Sequence, residues 1–188
     1  TEMLGMGATE EQNTQIHERL KAALRLILSS QAVRKERKLQ GGWRYEPGSR
    51  DSDLSVSIWQ LMALRSAKND EMDVPLEAIE NALEYLRNSF TGRRGQAGLG
   101  VGGFSYTPGQ SRPSFTMTAA GLLAMQVCGQ YDAAEVTSSA EWLLGHRPKA
   151  SERYLFYGLY YYAQGMHQAG GKYAEESRRV VSTLLLPK

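Results

Sequence analysis

Two short clusters combine residue types that could take part in chemistry. Asp51 and Asp53 lie two residues apart, directly before an apolar run. Cys128 is the only cysteine in the chain, and Gln130 follows it by two residues. Positioned carboxylates act as general acids or bases, and thiolates bind metal ions. The elements that carry these residues decide whether chemistry or structure explains them.

Both clusters have a structural interpretation. An Asp directly before a helix accepts hydrogen bonds from the free N–H groups of the first turn, so Asp53 is expected to cap a helix that begins near Leu54. Cys128 cannot form an internal disulfide, since the chain has no second cysteine, and we expect it to be a small buried side chain. The spacing typical of metal ligands is absent, and we expect no metal and no cofactor. The three histidines are scattered singly, at His17, His146 and His167.

Apolar periodicity predicts an all-α fold of about seven helices without a convincing strand. Residues 12–34 place Ile16, Leu20 and Leu24 on one face of an amphipathic helix. Residues 54–68 and 114–129 are apolar on all sides, which predicts helices that are buried on all sides. The remaining predicted helices are one opened by Val74-Pro75, then 133–144, 153–167 and 173–186.

A 61-residue repeat organises the chain, as the spacing from Gly42 to Gly103 shows. The same shift, without a gap, places Ser57 on Thr118 in the following helix, so loop and helix keep one register. A single such unit cannot bury its apolar helix alone, and neighbours must pack around it. The pattern favours outer and inner helices in two layers, over an irregular bundle with a local duplication. The matched loop residues are Gly42, Trp43, Tyr45, Pro47 and Gly48 with Gly103, Phe104, Tyr106, Pro108 and Gly109.

The aromatic residues fall into two sets. Trp43, Tyr45, Phe104 and Tyr106 repeat with the loops, which indicates that they fasten the loops to the helices. A second set lies on predicted inner helices and could line a central pocket or fill the core. This pocket set is Trp59, Phe156, Tyr157, Tyr160 and Tyr161.

The repeat resembles that of the squalene–hopene cyclase and protein prenyltransferase superfamily. Residues 40–43, Gln-Gly-Gly-Trp, are similar to a shortened glutamine–tryptophan motif of the cyclases. Residues 53–64 resemble the inner-helix signature of bacterial "prenyltransferase and squalene oxidase repeat" proteins, and residues 157–171 resemble a tyrosine-rich inner helix. The resemblance implies an α/α toroid over most of residues 16–186.

The resemblance implies less about activity. Cyclases protonate their substrate with an Asp-x-Asp-Asp motif, and the match Asp51-Ser52-Asp53-Leu54 puts Asp53 at the proton donor but lacks the last carboxylate. Prenyltransferases bind zinc with Asp-x-Cys, whereas Gln126 lies two residues before Cys128 here. The thioester of complement-type domains needs a Gln three residues after the Cys, not two.

Under the capping interpretation, we expect Asp53→Ser to leave stability nearly unchanged, because Ser114 is the aligned residue in the second repeat.

Composition bounds the function classes. The 188 residues carry a net charge of +2, with 41% hydrophobic and 22% charged residues, typical of a folded chain rather than a disordered one. Neither half is strongly basic, so we expect no nucleic-acid partner. No run is apolar enough for a membrane span, and no basic-then-apolar leader opens the sequence.

Two hypotheses follow. We expect a flexible segment at residues 1–11 and a single toroid domain at 12–188, a module that binds an apolar or isoprenoid ligand or a partner protein and is not catalytic alone. The alternative is a terpene-cyclase-like or lyase-like enzyme domain, with Asp53 and Asp51 as catalytic residues, completed by missing sequence or by another subunit.

Overall fold

A computed structural model describes residue 3 and residues 6–92, 94–95 and 98–186. Within these residues the chain is all-α with seven helices, which confirms that part of the prediction. A two-residue antiparallel pair, β1 (Arg94–Gly95) with β2 (Gly98–Leu99), was not predicted, because strands this short show no alternation. The helices are α1 (Glu10–Ala32), α2 (Leu54–Asn69), α3 (Leu76–Ser89), α4 (Phe115–Val127), α5 (Ala134–Gly145), α6 (Leu155–Ala169) and α7 (Gly171–Leu185).

The chain forms two compact units, residues 1–85 and residues 86–188, which are described separately. Unit 1 contains α1, α2 and most of α3. Unit 2 contains the end of α3, the short β pair and α4 to α7. The single domain expected for residues 12–188 stays a prediction. The flexible segment expected at residues 1–11 lies partly outside the described residues, and α1 already begins at Glu10.

In unit 1 the loop after α1 is tied to helices on both sides of it. The buried Gln31 Nε2 donates to the carbonyls of Gly41 and Ala78, at 2.9 and 2.8 Å. Gly41 has φ +87°, and a Cβ there would lie 2.1 Å from the Asn81 carbonyl oxygen, so only glycine fits. One glutamine and one glycine therefore hold α1, the loop and α3 together.

The helix α2 is not buried on all sides, so that prediction is wrong. Leu54, Ile58 and Leu61 are fully buried, but Trp59 is 56% exposed. The apolar composition of α2 predicts that the helix packs against neighbours, but it does not determine on how many sides those neighbours lie. In unit 2, by contrast, α4 is buried along residues 115–126, as predicted.

The repeat appears in the structure as matched hydrogen bonds. The backbone N–H of Trp43 donates to Ser57 Oγ at 2.9 Å, and that of Phe104 donates to Thr118 Oγ1 at 3.1 Å. Both donors lie 14 residues before their acceptors. In each case a loop aromatic is bonded to a helix hydroxyl one turn inside the helix.

The loops also close in the same way. The residue before each helix donates its N–H to the carbonyl of the loop aromatic: Asp53 to Trp43 at 2.9 Å, and Ser114 to Phe104 at 3.1 Å. The turns between them match as well. Together these contacts confirm that both segments are loop-then-helix units in one register. The matched turn bonds are Ser49 N–H to Glu46 O and Gln110 N–H to Thr107 O.

In unit 2, α4 and α6 approach closely because α6 carries glycine at two contact points. A Cβ at Gly158 would lie 2.7 Å from the Phe115 ring, and one at Gly165 would lie 3.2 Å from Leu122. Gln126 Nε2 also donates to the Gly165 carbonyl at 3.0 Å. The face of α6 that contacts α4 is thereby fixed, and the opposite face is left outward.

An ion-pair network joins the segment after α5 to α7. Glu176 lies 2.7 Å from the Arg179 guanidinium and 2.6 Å from that of Arg147. The hydrogen bond from Arg179, with further attraction from Arg147, holds the pKa of Glu176 below its usual range. Because this pKa is lower in the folded state, the ionised carboxylate stabilises the fold at pH values above the unfolded pKa. That stabilisation is lost as pH falls through the folded pKa.

Substitution Ser57→Ala should lower the free energy of unfolding by about 1–3 kcal/mol, because it leaves the buried Trp43 N–H without an acceptor. Urea unfolding followed by circular dichroism measures it. Ser66→Ala, on the half-exposed side of the same helix, is the control and should change stability by less than about 0.5 kcal/mol. Equal effects of the two substitutions would contradict the assigned role of Ser57.

The substitution Glu176→Gln should cost about 0.5–1 kcal/mol at pH 7, since it removes a carboxylate shared by two guanidinium groups. The difference from the native chain should shrink as pH falls through the lowered folded-state pKa of Glu176, because the native carboxylate then becomes protonated too. Thermal unfolding between pH 3 and 7 tests this, with the exposed neighbour Glu175→Gln as control. A difference that persists at low pH would show that charge is not the cause.

Candidate functional site

Asp53 caps α2, as the sequence predicts. Its Oδ1 accepts hydrogen bonds from the backbone N–H of Val56 at 3.0 Å and from Ser55 Oγ at 2.8 Å. The aligned Ser114 caps α4 in the same way, through the N–H of Met117 at 3.3 Å. The capping interpretation is confirmed.

Arg44 is a partner of Asp53 that sequence reasoning missed. Its Nη1 lies 2.9 Å from Asp53 Oδ2, and the Asp53 side chain is fully buried. The repeat contained a signal for this pair: the aligned positions in the second unit, Ser105 and Ser114, are both serine. The acidic and the basic residue are thus replaced together from one unit to the other.

This geometry gives Asp53 a structural use. Both carboxylate oxygens already accept hydrogen bonds from protein donors, and no part of the side chain reaches solvent. Asp51 does not share that environment, because its side chain is 55% exposed and lies 3.7 Å from Arg44 Nε. A substrate therefore has no route to the Asp53 carboxylate in this arrangement.

Four aromatic side chains lie on or beside the start of α6 and form the α6 aromatic face: Tyr154, Phe156, Tyr157 and Tyr160. Phe156 is 74% exposed, Tyr154 64% and Tyr160 57%. Tyr161, by contrast, is buried, and the rings of Tyr157 and Tyr160 meet it edge to face at 4.9 and 5.2 Å. Burial, followed by its hydrogen bond to Tyr157, raises the pKa of the Tyr161 hydroxyl.

The predicted pocket set is therefore divided. Phe156, Tyr157 and Tyr160 share one surface, whereas Tyr161 lies beneath it as a packing residue. Trp59 lies on α2 in unit 1. A pocket that contains all five side chains stays a prediction.

The loop aromatics also differ from one another. Trp43 and Phe104 are buried, and the Trp43 indole N–H donates to the Ile27 carbonyl at 2.8 Å. Tyr106 is half-buried. Tyr45 departs from the expectation, because it is 69% exposed and its ring lies 5.3 Å from the Arg44 guanidinium. It covers the arginine that binds Asp53 and does not fill the core.

The predicted metal-binding candidates lie apart. Cys128 is half-exposed at the end of α4, not buried as expected, and His146 stacks on Trp142 at 3.9 Å. Among the described residues, no three His, Cys, Asp or Glu side chains form a group that could hold a metal ion. The predicted absence of a metal stays a prediction.

Comparisons with models of protein families, with curated proteins and with solved structures find no match to this chain. Within the part of the chain that the structure describes, no helix is both long and apolar enough to cross a membrane.

Asp53→Ser should cost about 1–3 kcal/mol, because the new hydroxyl caps the helix but leaves Arg44 without its charged partner. The structure therefore revises the expectation that this change is nearly silent. In an Arg44→Met background the same substitution should cost less than about 1 kcal/mol. A double-mutant cycle by urea unfolding measures the coupling, and a coupling near zero would show that the ion pair contributes nothing.

Proposed function

We propose that this chain is a helical repeat module of the α/α-toroid type, not catalytic alone, that binds an apolar segment of a partner protein. The proposal rests on the α6 aromatic face. A run of exposed Phe and Tyr side chains is the composition that protein interfaces enrich at their most important contacts. Large exposed apolar patches on a protein mark binding surfaces.

The face has the rigidity that a binding surface needs. Its two central rings pack against the buried Tyr161. On the other side of α6, Gly158 and Gly165 seat the helix on α4. Rings held in place before binding lose little conformational entropy when a partner arrives.

Polar groups at the edge of the face also favour a protein partner. The Arg153 guanidinium lies 4.8 Å from the centre of the Tyr154 ring, and the tyrosine hydroxyls add hydrogen-bonding groups. A small apolar ligand would need a concave site that covers most of its surface, whereas Phe156 is 74% exposed. We therefore favour a protein segment over an isoprenoid ligand.

Two further observations support the proposed class and the lack of independent catalysis. The matched loop contacts recur at a spacing of 61 residues, as repeat modules require. The one residue that the family resemblance places at a proton donor, Asp53, is buried and bonded through both oxygens.

Peptides selected by mRNA display against the native chain should be rich in apolar and aromatic residues. Their affinity should fall about tenfold or more with Phe156→Ser or Tyr160→Ser, the loss typical of interface anchors. Phe156→Ser should change stability by less than about 0.5 kcal/mol, since Phe156 is exposed, whereas Tyr160→Ser should cost about 0.5–1.5 kcal/mol, because it also loses the ring contact with Tyr161. Tyr131→Ser, which removes an exposed tyrosine outside α6, is the matched control and should leave affinity unchanged.

Peptide affinities that do not respond to the two α6 substitutions would overturn the proposal. Farnesol, added in the same assay, separates the two classes of ligand. Tight farnesol binding that is lost in the α6 variants, without any peptide binding, would assign the face to a small apolar ligand instead.

A further inference from the structure

The turn after α1 concentrates basic side chains next to a cleft in unit 1. Four of the five residues 34–38 are Arg or Lys. The cleft has a volume of about 420 Å³ and lies between this turn and α3. The residues that line it are Arg34, Lys35, Arg37, Gln40, Asn81 and Glu84.

The ammonium group of Lys35 is hydrogen-bonded to carbonyl groups at the C-terminal end of α1. Its Nζ donates to the carbonyls of Ser30, Gln31 and Val33, at 3.1, 3.4 and 3.2 Å. Burial lowers the pKa of this amine. An anion near a helix C-terminus is normally repelled by the helix dipole, and here a fixed ammonium group offsets that repulsion.

The turn itself is held in shape by Gln40. Its Oε1 accepts from the Lys35 N–H at 3.0 Å, and its Nε2 donates to the Gln31 carbonyl at 3.3 Å. Both ends of the amide are therefore occupied within the turn. The backbone that carries the two arginines is fixed without their side chains.

The guanidinium groups of Arg34 and Arg37 are available to bind a ligand. Both are exposed, and within the described residues neither forms a hydrogen bond or an ion pair. A planar guanidinium group can donate two parallel hydrogen bonds to phosphate oxygens, with more geometric specificity than an ammonium group offers. Glu84 is the one acidic residue among the six that line the cleft.

We propose that this cleft binds the phosphate group of a small phosphate monoester. Three basic side chains and one acidic side chain give its lining a net positive charge that suits a dianion. The volume lies in the range of small-molecule sites and exceeds what a bare phosphate ion fills. Asn81 and Glu84 line the cleft from α3 and supply an amide and a carboxylate for the hydroxyl groups of the rest of the ligand. This site is separate from the α6 aromatic face and does not depend on its function.

Isothermal titration at low salt, with inorganic phosphate and with glycerol 3-phosphate, tests the proposal. We expect dissociation constants of about 1 mM, which should rise with added salt. Arg34→Ala and Arg37→Ala should each weaken binding about tenfold, the effect of losing one charged hydrogen-bonding partner. Lys38→Ala removes the same charge from the same turn but outside the cleft lining, and should weaken binding by less than about twofold. Glu84→Gln should tighten binding of inorganic phosphate.

Equal losses from all three charge removals would overturn the proposal, because they would indicate a diffuse positive field rather than a site. No detectable heat up to about 10 mM of either ligand would overturn it too. Vesicles that contain phosphatidic acid distinguish the source of the phosphate. Arginine-dependent binding of vesicles tighter than that of glycerol 3-phosphate would place the phosphate on a lipid headgroup, and the reverse order on a soluble ester.

Discussion

Each repeat unit depends on a loop aromatic that is bonded to the following helix at two points. Its N–H donates to a hydroxyl one turn inside the helix, and its carbonyl accepts from the residue that caps the same helix. The two bonds close a loop of about ten residues against the helix start, so they fix where the helix begins and bury the aromatic ring. The capping residue, the hydroxyl and the aromatic are thus one unit of structure, and none can change without affecting the other two.

The two repeat units share these loop-to-helix bonds but close their loops with different side chains. The first uses the buried pair of Arg44 and Asp53. The second has serine at both positions, and Ser105 instead bonds through its N–H and its hydroxyl to the Ser89 carbonyl, at 3.0 Å each. Asp53 resembles a catalytic acid in sequence, but in the structure it closes the loop of the first repeat unit. The second repeat unit closes its loop with serine instead.

Helix positions, the repeat register and the Asp53 cap could be predicted from the sequence, because periodicity and capping are local properties. The exposure of Trp59 could not, since the apolar pattern of α2 does not state how many neighbours surround it. Tyr45 was predicted to fasten its loop to the helix, because the repeat aligns it with Tyr106. Its ring covers the neighbouring arginine instead, and the second repeat unit has serine at the position of that arginine. Arg44 could have been found, because it and Asp53 are both replaced by serine in the second unit.

Amide hydrogen exchange at Trp43 and Phe104 tests most directly the claim that loop and helix form one locked unit. Each amide bonds to a buried hydroxyl, so it should exchange only when its unit unfolds. We therefore expect both amides among the slowest in the chain, at rates that match those of α2 and α4 interior amides. Exchange of either amide within seconds, at the rate of an exposed loop, would contradict the account.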